Sequence, residues 1–237
     1  MKVVQRLPIK IGFAPGEDIS IMRAGMSVTA DIDTGLVASA RVTYVEGYLW
    51  DPPEAKKAVL KAFDAARAAG REVSITLSDS FCVGRYRDEF RDLVRNRVDI
   101  VFANEAEITS LYEVKTFEEA MEAVRKEARV AVLTRSEKGS VVVKGGETHD
   151  VKAAPVAKVV DVTGAGDLFA SGFLRGFTQG KPLAACAKLG GFAAAGASSY
   201  ANTEIGQVAT MAYLDAFAKL VNDVKAIQPD AKANNVS

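Results

Sequence analysis

The chain has 237 residues, of which 49% are apolar and 25% are charged, so its composition excludes gross disorder and suits one globular domain over residues 1–237. Its 30 basic residues balance its 30 acidic residues, and we therefore expect neither nucleic acid nor an anionic membrane as the main partner. The sequence contains no uncharged apolar run of 18 residues, and its first ten residues lack the apolar centre of a signal peptide, which predicts a cytoplasmic protein.

The first 40 residues are the least regular part of the sequence. A short helix is predicted over residues 33–40, and the β-rich run over residues 41–48 predicts a buried strand. A second helix is predicted from Pro53 to Ala69, with Gly70 at the position where a helix usually stops.

Beyond Gly70, strands and helices alternate. Strands are predicted over residues 72–77, 98–103 and 129–134, and helices over residues 85–95, 105–112 and 116–127. This alternation is typical of parallel βαβ units with right-handed crossovers. A hairpin over residues 140–151 and three helices over residues 165–179, 182–198 and 206–226 complete the chain.

A small-residue turn joins a further β-rich run, residues 157–161, to the helix that begins at residue 165. The turn is Gly164-Ala165-Gly166, and glycine lets the backbone approach a ligand closely. Because the first amide groups of a helix lack partners and carry partial positive charge, this turn predicts an anion-binding site.

Asp167 follows this turn directly. A carboxylate in a first helical turn has a simple structural explanation, because it complements the helix dipole. A carboxylate beside an anion site also suits phosphoryl transfer, in which backbone donors hold the charge and a base takes the proton of the attacking hydroxyl. We favour the catalytic interpretation of Asp167, since both glycines and the carboxylate occur together.

The run Asp161-Val-Thr-Gly-Ala-Gly-Asp167, followed by Leu-Phe-Ala-Ser-Gly-Phe, closely resembles the C-terminal signature of the ribokinase/adenosine kinase (PfkB-type) family. The resemblance implies a ribokinase-like three-layer α/β/α fold with a mainly parallel sheet. It implies transfer of phosphate from ATP, with Mg²⁺, to a primary hydroxyl of a nucleoside or sugar. In this family the last Asp is the base and the Gly-Ala-Gly amides form the anion hole. Asp161 and Thr163 would lie near the phosphates, and in some family members the Asp belongs to a monovalent-cation site.

Asn104 and Glu107 follow the strand predicted over residues 98–103. On pattern alone they are best explained as an N-cap and its capping-box partner. The resemblance favours a second role, because the family carries an Asn-x-x-Glu motif here that supports Mg²⁺ and phosphate, often through water. Oxygen ligands of this kind suit Mg²⁺.

Thr134, Ser136 and Gly139 follow the next predicted strand. They resemble the family's Thr-x-Gly-x-x-Gly nucleotide loop, with Ser in place of the first Gly. An ordinary turn between strand and hairpin is the alternative. The small-residue helix over residues 188–200 resembles the region that lines the adenine side of the ATP cleft in the family, although close helix packing alone would explain most of its composition.

The two cysteines, Cys82 and Cys186, are too far apart in the sequence to form a metal-ligand or redox motif, and we expect both to be reduced and buried. The single histidine, His149, has no nucleophile motif with it, so a surface or edge position is preferred over a hydrolase triad.

The resemblance covers about residues 20–225 and only the later part of the family's pattern. The N-terminal Gly-Gly segment, which in the family binds the acceptor and supplies most of the lid, is not found. We therefore expect the lid and first strands to be largely missing and one sheet edge to be half paired. A non-catalytic nucleotide-binding fragment, or a degenerate kinase-fold protein, is the alternative to an enzyme. A dehydrogenase-type Rossmann protein is a weaker one, since no Gly-x-Gly-x-x-Gly is present. A homodimer is left open.

Overall fold

A computed structural model of the protein describes residues 33–155 and 164–199. Its centre is a six-stranded sheet whose strands are neighbours in the order in which they occur in the chain. The first four strands are parallel, and the last two are joined to them as antiparallel neighbours. The strands are β1 (Val42–Glu46), β2 (Glu72–Thr76), β3 (Ile100–Asn104), β4 (Val130–Thr134), β5 (Ser140–Lys144) and β6 (Glu147–Val151).

Among the described residues, six helices precede or connect the parallel strands, and two more follow the hairpin. They are α1 (Thr34–Ser39), α2 (Pro53–Ala68), α3 (Ser80–Arg85), α4 (Arg87–Asn96), α5 (Glu105–Tyr112), α6 (Phe117–Arg125), α7 (Ala165–Thr178) and α8 (Leu183–Ser199). Local signals set several of these ends. The Asp33 carboxylate caps α1, Pro53 stands in the first turn of α2, and Thr116 and Glu119 form a capping box at α6.

The sheet separates two apolar cores, which makes the fold three-layered. On β3, Val101 and Ala103 belong to the core that packs under α2–α6, whereas Ile100 and Phe102 belong to the core that packs under α7 and α8. This alternation follows from the pleat of a strand, which sends successive side chains to opposite faces. Because parallel strands that are added in one direction have right-handed crossovers, their connecting helices collect on one face. The predicted three-layer α/β architecture is confirmed.

Helices α7 and α8 pack with their backbones almost in contact. A Cβ atom added to Gly172 would lie 2.6 Å from the Leu189 carbonyl oxygen, and one added to Gly190 would lie 2.7 Å from the Phe169 carbonyl oxygen. Only glycine permits this approach, so the small residues of this helix pair serve close packing, as their composition predicted.

Most predicted elements are found, and two need correction. The strand predicted over residues 41–48 ends at Glu46, and residues 47–50 form a 3₁₀ turn. Gly47 is buried so tightly against the end of β2 that a Cβ atom there would lie 2.8 Å from the Leu77 carbonyl oxygen. The helix predicted over residues 85–95 is α4 and begins at Arg87, because Tyr86 leaves the helical conformation at φ −126° and ψ 30°. The short helix α3, which ends at Arg85, was not predicted.

The two cysteines and the single histidine occupy the kinds of position that the sequence predicted. Cys82 and Cys186 are both free and buried, and His149 lies on β6, the last strand of the described sheet. The predicted strand over residues 157–161 and helix over residues 206–226 lie outside the described residues. No helix within residues 33–155 and 164–199 combines the length and apolar character needed to cross a bilayer.

Candidate active site

The carboxyl ends of β1–β4 and the first turn of α7 border one cleft of about 930 Å³. Every described residue that the sequence singled out for a site lines this cleft. They are Asn104, Glu107, Thr134, Ser136, Gly139, Gly164, Ala165, Gly166 and Asp167. Asp161 and Thr163, the two other candidates, lie outside the described residues. Residues that are up to 63 positions apart in the sequence therefore meet at one edge of the sheet, where ligands of open α/β sheets bind.

The first turn of α7 has the features of an anion site. Gly164 takes the left-handed conformation, with φ 74° and ψ 5°, and no side chain of the described residues caps the helix. The first amide groups of a helix have no partner within the helix. A Cβ atom built on Gly166 would meet no described atom within 4 Å, apart from its chain neighbours and the backbone of its own helix. The turn thus offers to the cleft backbone donors that have no partner among the described residues, with the Asp167 carboxylate beside them.

Glu46, the last residue of β1, is a site residue that the sequence analysis missed. Its Oε1 accepts a hydrogen bond from the Tyr44 hydroxyl at 2.9 Å, and its Oε2 accepts one from the Ser78 hydroxyl at 3.2 Å. Burial first, and the charge of Asp167 second, raise the pKa of Glu46 above its usual value. The carboxyl groups of Glu46 and Asp167 are therefore close enough to interact within the cleft. No signal in the sequence marked Glu46, because the strand was expected to continue to residue 48.

Asn104 and Glu107 form a closed pair at the start of α5. The Asn104 side chain accepts a hydrogen bond from the Glu107 amide at 2.8 Å, and Glu107 Oε2 accepts one from the Asn104 amide at 3.0 Å. Asn104 Nδ2 also donates to Glu107 Oε1 at 2.6 Å. The capping box that the sequence pattern predicted is therefore present.

Glu107 is nevertheless an unusual cap, because only 5% of it is exposed. Burial raises the pKa of Glu107 to about 7, and the charges of Asp79 and Glu46 add to this effect. A carboxylate that is costly to ionise is one that a cation would stabilise. Both roles of Glu107, helix cap and metal support, are compatible with this geometry.

The loop after β4 lies beside this pair, since Thr134 and Asn104 are register partners at the ends of β4 and β3. Gly139 has φ 95° and ψ −133°, and a Cβ atom there would lie 2.1 Å from the Val151 carbonyl oxygen. Ser136 takes a positive φ of 50°, a conformation that glycine adopts more readily than residues with a side chain. The loop is therefore built on two left-handed residues, and one of them is not glycine.

The floor of the cleft on the side of α8 consists of small residues. Ala187, Gly191, Ala194 and Ala195 line it there. Short side chains leave room for a flat ligand against the helix, in the region predicted for the adenine side.

The charges that line the cleft are mostly negative. Among the described residues, four carboxyl groups, those of Glu46, Glu107, Glu137 and Asp167, face it with one cation, Lys152. A phosphorylated ligand would meet repulsion here unless a divalent cation accompanied it. Within residues 33–155 and 164–199, no group of three or more His, Cys, Asp or Glu could hold a metal ion alone. This donor set fits Mg²⁺ that keeps most of its waters and is bound partly by substrate phosphates, with Glu107 as support.

Solved structures share this architecture. The chain aligns with the adenosine kinase of Sinorhizobium meliloti at a TM-score of 0.71 and 48% identity, over 77% of this chain and 57% of that one. It aligns with a probable sugar kinase of Rhizobium etli at a TM-score of 0.72 and 51% identity, over 78% and 57% of the two chains. The protein thus has the ribokinase-like α/β fold.

The sequence also assigns the chain to one family within that fold. The model of the pfkB family of carbohydrate kinases matches residues 18–208, which is most of the chain. The protein belongs to this family.

Curated relatives include kinases of nucleosides. A cytidine kinase of Thermococcus kodakarensis is 35% identical over 148 residues, and an adenosine kinase of Schizosaccharomyces pombe is 31% identical over 169 residues. These alignments cover 59% and 65% of this chain, and 49% and 48% of the relatives. The chain spans about half the length of the curated relatives that it matches.

Proposed function

We propose that the protein is an ATP-dependent phosphotransferase that acts on a primary hydroxyl of a nucleoside or sugar, with adenosine as the first acceptor to test. The observation that carries this proposal is the position of Asp167 in the first turn of α7. There its carboxylate stands beside the open amides of Gly164–Gly166 and lines the same cleft as Asn104, Glu107 and Thr134. The names of the relatives, which include kinases of adenosine, cytidine and ribose, support the acceptor class.

In the proposed reaction, the Asp167 carboxylate accepts the proton of the acceptor hydroxyl. The hydroxyl oxygen forms a bond to the γ-phosphorus of ATP while the bond from that phosphorus to the bridging oxygen breaks, and ADP leaves with the electron pair. The amides of the first turn of α7 stabilise the negative charge that moves onto the phosphoryl oxygens. Mg²⁺, supported by Glu107, would neutralise the phosphates in a cleft that is otherwise acidic.

The small residues of α8 and the loop from Thr134 to Gly139 form the other part of the cleft, and we assign the nucleotide to them. A flat base fits against Ala194 and Gly191, which are small residues that line the cleft. The acceptor would then lie on the side of Glu46 and Ser78, next to Asp167.

The test is transfer of phosphate from ATP to adenosine, cytidine, ribose or fructose by the purified chain, compared with its Asp167→Asn variant. We expect the variant to lose about 10²–10⁴-fold in kcat, the usual contribution of a general base, and to keep its affinity for ATP. Asp88→Asn is the matched control, because Asp88 is also in the first turn of a helix, α4, and is exposed away from the cleft. Equal activity of the Asp167 variant and the unchanged protein would contradict the role of Asp167.

A second candidate function is nucleotide binding without turnover, the alternative that the sequence analysis left open. A protein that binds ATP in the cleft but transfers phosphate to none of the four acceptors would support it. Use of a monovalent cation, formation of a homodimer and a cytoplasmic location stay predictions.

A further inference from the structure

A second concave site lies at the end of the sheet opposite the cleft. It is a pocket of about 420 Å³, and most of its lining side chains are charged. We call it the basal arginine pocket. Its lining residues are Arg41, Arg67, Gly70, Arg71, Glu72, Asp99 and Arg129.

The pocket collects these residues because they flank the amino ends of the four parallel strands. Arg41 precedes β1, Glu72 begins β2, Asp99 precedes β3 and Arg129 precedes β4. Strands of five residues separate this end of the sheet from the cleft, a distance of roughly 15 Å at the usual rise per residue. A ligand in the pocket would thus be remote from the proposed reaction.

Three of the four arginines are anchored by backbone carbonyl groups at the ends of helices. Arg67 Nη1 donates to the Arg97 carbonyl at 2.7 Å, Arg71 Nε donates to the Ala38 carbonyl at 3.0 Å, and Arg41 donates to the Thr178 carbonyl. These carbonyls lie at the carboxyl ends of α4, α1 and α7, where a cation also complements the helix dipole. These three arginines therefore have a structural role, which is to cap the carboxyl ends of helices.

Within residues 33–155 and 164–199, that role leaves most of their hydrogen-bonding capacity unused. A guanidinium carries five N–H donors and stays charged at any physiological pH. Among the described residues, Arg41, Arg67 and Arg71 form no ion pair with a carboxylate, whereas Arg129 pairs with Asp99 at 2.8 Å. The second oxygen of Asp99 is already bound to the Val73 amide at 2.9 Å.

The balance of charge in the pocket is positive, with four guanidinium groups facing two carboxylates. Like charges that are held together by the fold repel one another, and a bound anion would relieve this repulsion. The planar guanidinium matches two oxygens of a phosphate group, and several such groups suit an anion that carries more than one phosphate. The small concave shape, in a chain with no net charge, favours a small anion over a nucleic acid or a membrane surface.

We propose that the basal arginine pocket is a binding site for a small polyphosphate anion, distinct from the cleft. The proposal is independent of catalysis, so that an inactive protein would still show it. Its arginines act both as helix caps and as anion ligands, and the anion adds a bridge between these strand ends and helix ends.

The test is calorimetric titration of the full chain with inorganic pyrophosphate at low ionic strength, with hydrogen exchange to locate the site. We expect binding that weakens with added salt and protection of residues 67–72 and 97–99. Arg67→Gln and Arg71→Gln should each weaken binding about tenfold, as the loss of a charge-assisted hydrogen bond does. Arg71→Lys, which keeps the charge and loses the planar fork, covers the case in which a Gln variant does not fold, and should weaken binding severalfold.

Arg125→Gln is the matched control, since Arg125 also donates to a backbone carbonyl, that of Gly145 at 2.8 Å, but lies outside the pocket. It should bind pyrophosphate as the unchanged protein does. Three results would overturn the proposal: unchanged affinity in the folded Arg67 and Arg71 variants, equal loss in the Arg125 variant, or protection confined to residues 164–168 of the cleft. Tighter binding of a short DNA duplex or of anionic vesicles, with the same dependence on Arg67 and Arg71, would overturn the assignment to a small anion.

Discussion

Asn104 and Glu107 hold each other through both their side chains and their backbone amides, at 2.6 Å between Asn104 Nδ2 and Glu107 Oε1 and at 2.8 Å between Asn104 Oδ1 and the Glu107 amide. A second capping box, formed by Thr116 and Glu119, has the same reciprocal bonds to the backbone at the start of α6. Glu107 lines the cleft and Glu119 does not. The two boxes therefore allow capping to be separated from a role in binding.

We predict that Asn104→Ala and Thr116→Ala each lower the free energy of unfolding by about 1 kcal/mol, the usual worth of an N-cap, measured by urea denaturation. Glu107→Gln should also weaken binding of Mg·ATP by about tenfold, as changes in groups that support a metal do, and Glu119→Gln should leave it unchanged. If both Gln variants bind Mg·ATP as the unchanged protein does, Glu107 is a helix cap only.

Glu46 should make stability depend on pH in a particular direction. Its pKa in the folded protein is raised by burial and by Asp167, so the folded state favours the protonated carboxyl. The resulting stability is present below the ordinary pKa of a glutamate and is lost as pH rises through the raised value. Glu46→Gln should therefore become more stable relative to the unchanged protein as pH increases from about 4.5 to 8. Denaturation at several pH values measures this, and the exposed Glu54→Gln should show a smaller change.

Gly139 lies in the loop after β4, and Gly145, in the turn between β5 and β6, is a matched control for it. Both have a positive φ, but a Cβ atom at Gly139 would lie 2.1 Å from the Val151 carbonyl oxygen, whereas nothing lies within 4 Å of one at Gly145. Gly145→Ala should cost about 1 kcal/mol for the left-handed conformation alone. Gly139→Ala should cost about 3 kcal/mol or more, because the backbone of residues 151–153 must also move. Equal losses in thermal denaturation would show that the loop yields easily.

Ser136 offers a substitution that should stabilise the protein. It holds φ at 50° with a side chain present, which costs about 1–2 kcal/mol relative to a conformation that side chains prefer. Ser136→Gly removes this cost and adds some entropy to the unfolded chain, so a net gain of about 1 kcal/mol is expected. A lower melting temperature in the variant would mean that the Ser136 side chain makes a contribution larger than the backbone strain.

The contact between α7 and α8 should tolerate no methyl group. Gly172→Ala would bring a Cβ atom to 2.6 Å from the Leu189 carbonyl oxygen, and separating the helices should cost about 1–3 kcal/mol. Gly84→Ala, within α3 and with open space around it, should be neutral or stabilising by up to about 1 kcal/mol. Comparable losses for the two variants in urea denaturation would argue against the close contact.

The sequence was sufficient to predict the alternating strands and helices, because five-residue apolar runs such as Val130–Thr134 alternate with amphipathic segments such as residues 87–96. It was also sufficient to place Asn104, Thr134 and Asp167 in one site, since the carboxyl ends of parallel strands share an edge. The roles of these residues in catalysis and binding stay predictions.

Other features depend on tertiary contacts that a pattern does not contain. Glu46 is recognisable only when β1 is known to end at it, and this end is set by the contact between Gly47 and β2. The positive φ of Ser136 contradicts its local preference and is held by the surrounding loop. The basal arginine pocket combines residues from before four strands, and no single motif marks it.

The order of the strands has a consequence for synthesis of the protein. Each strand from β2 to β6 pairs with the strand that precedes it in the chain, so the sheet can extend as the nascent chain leaves the ribosome. Within the part of the chain that the structure describes, one apolar face, which includes Ile100, Phe102 and Val132, is covered by α7 and α8, and these are translated later. During elongation this face is exposed, and it is there that we expect a ribosome-associated chaperone to engage the unfinished protein.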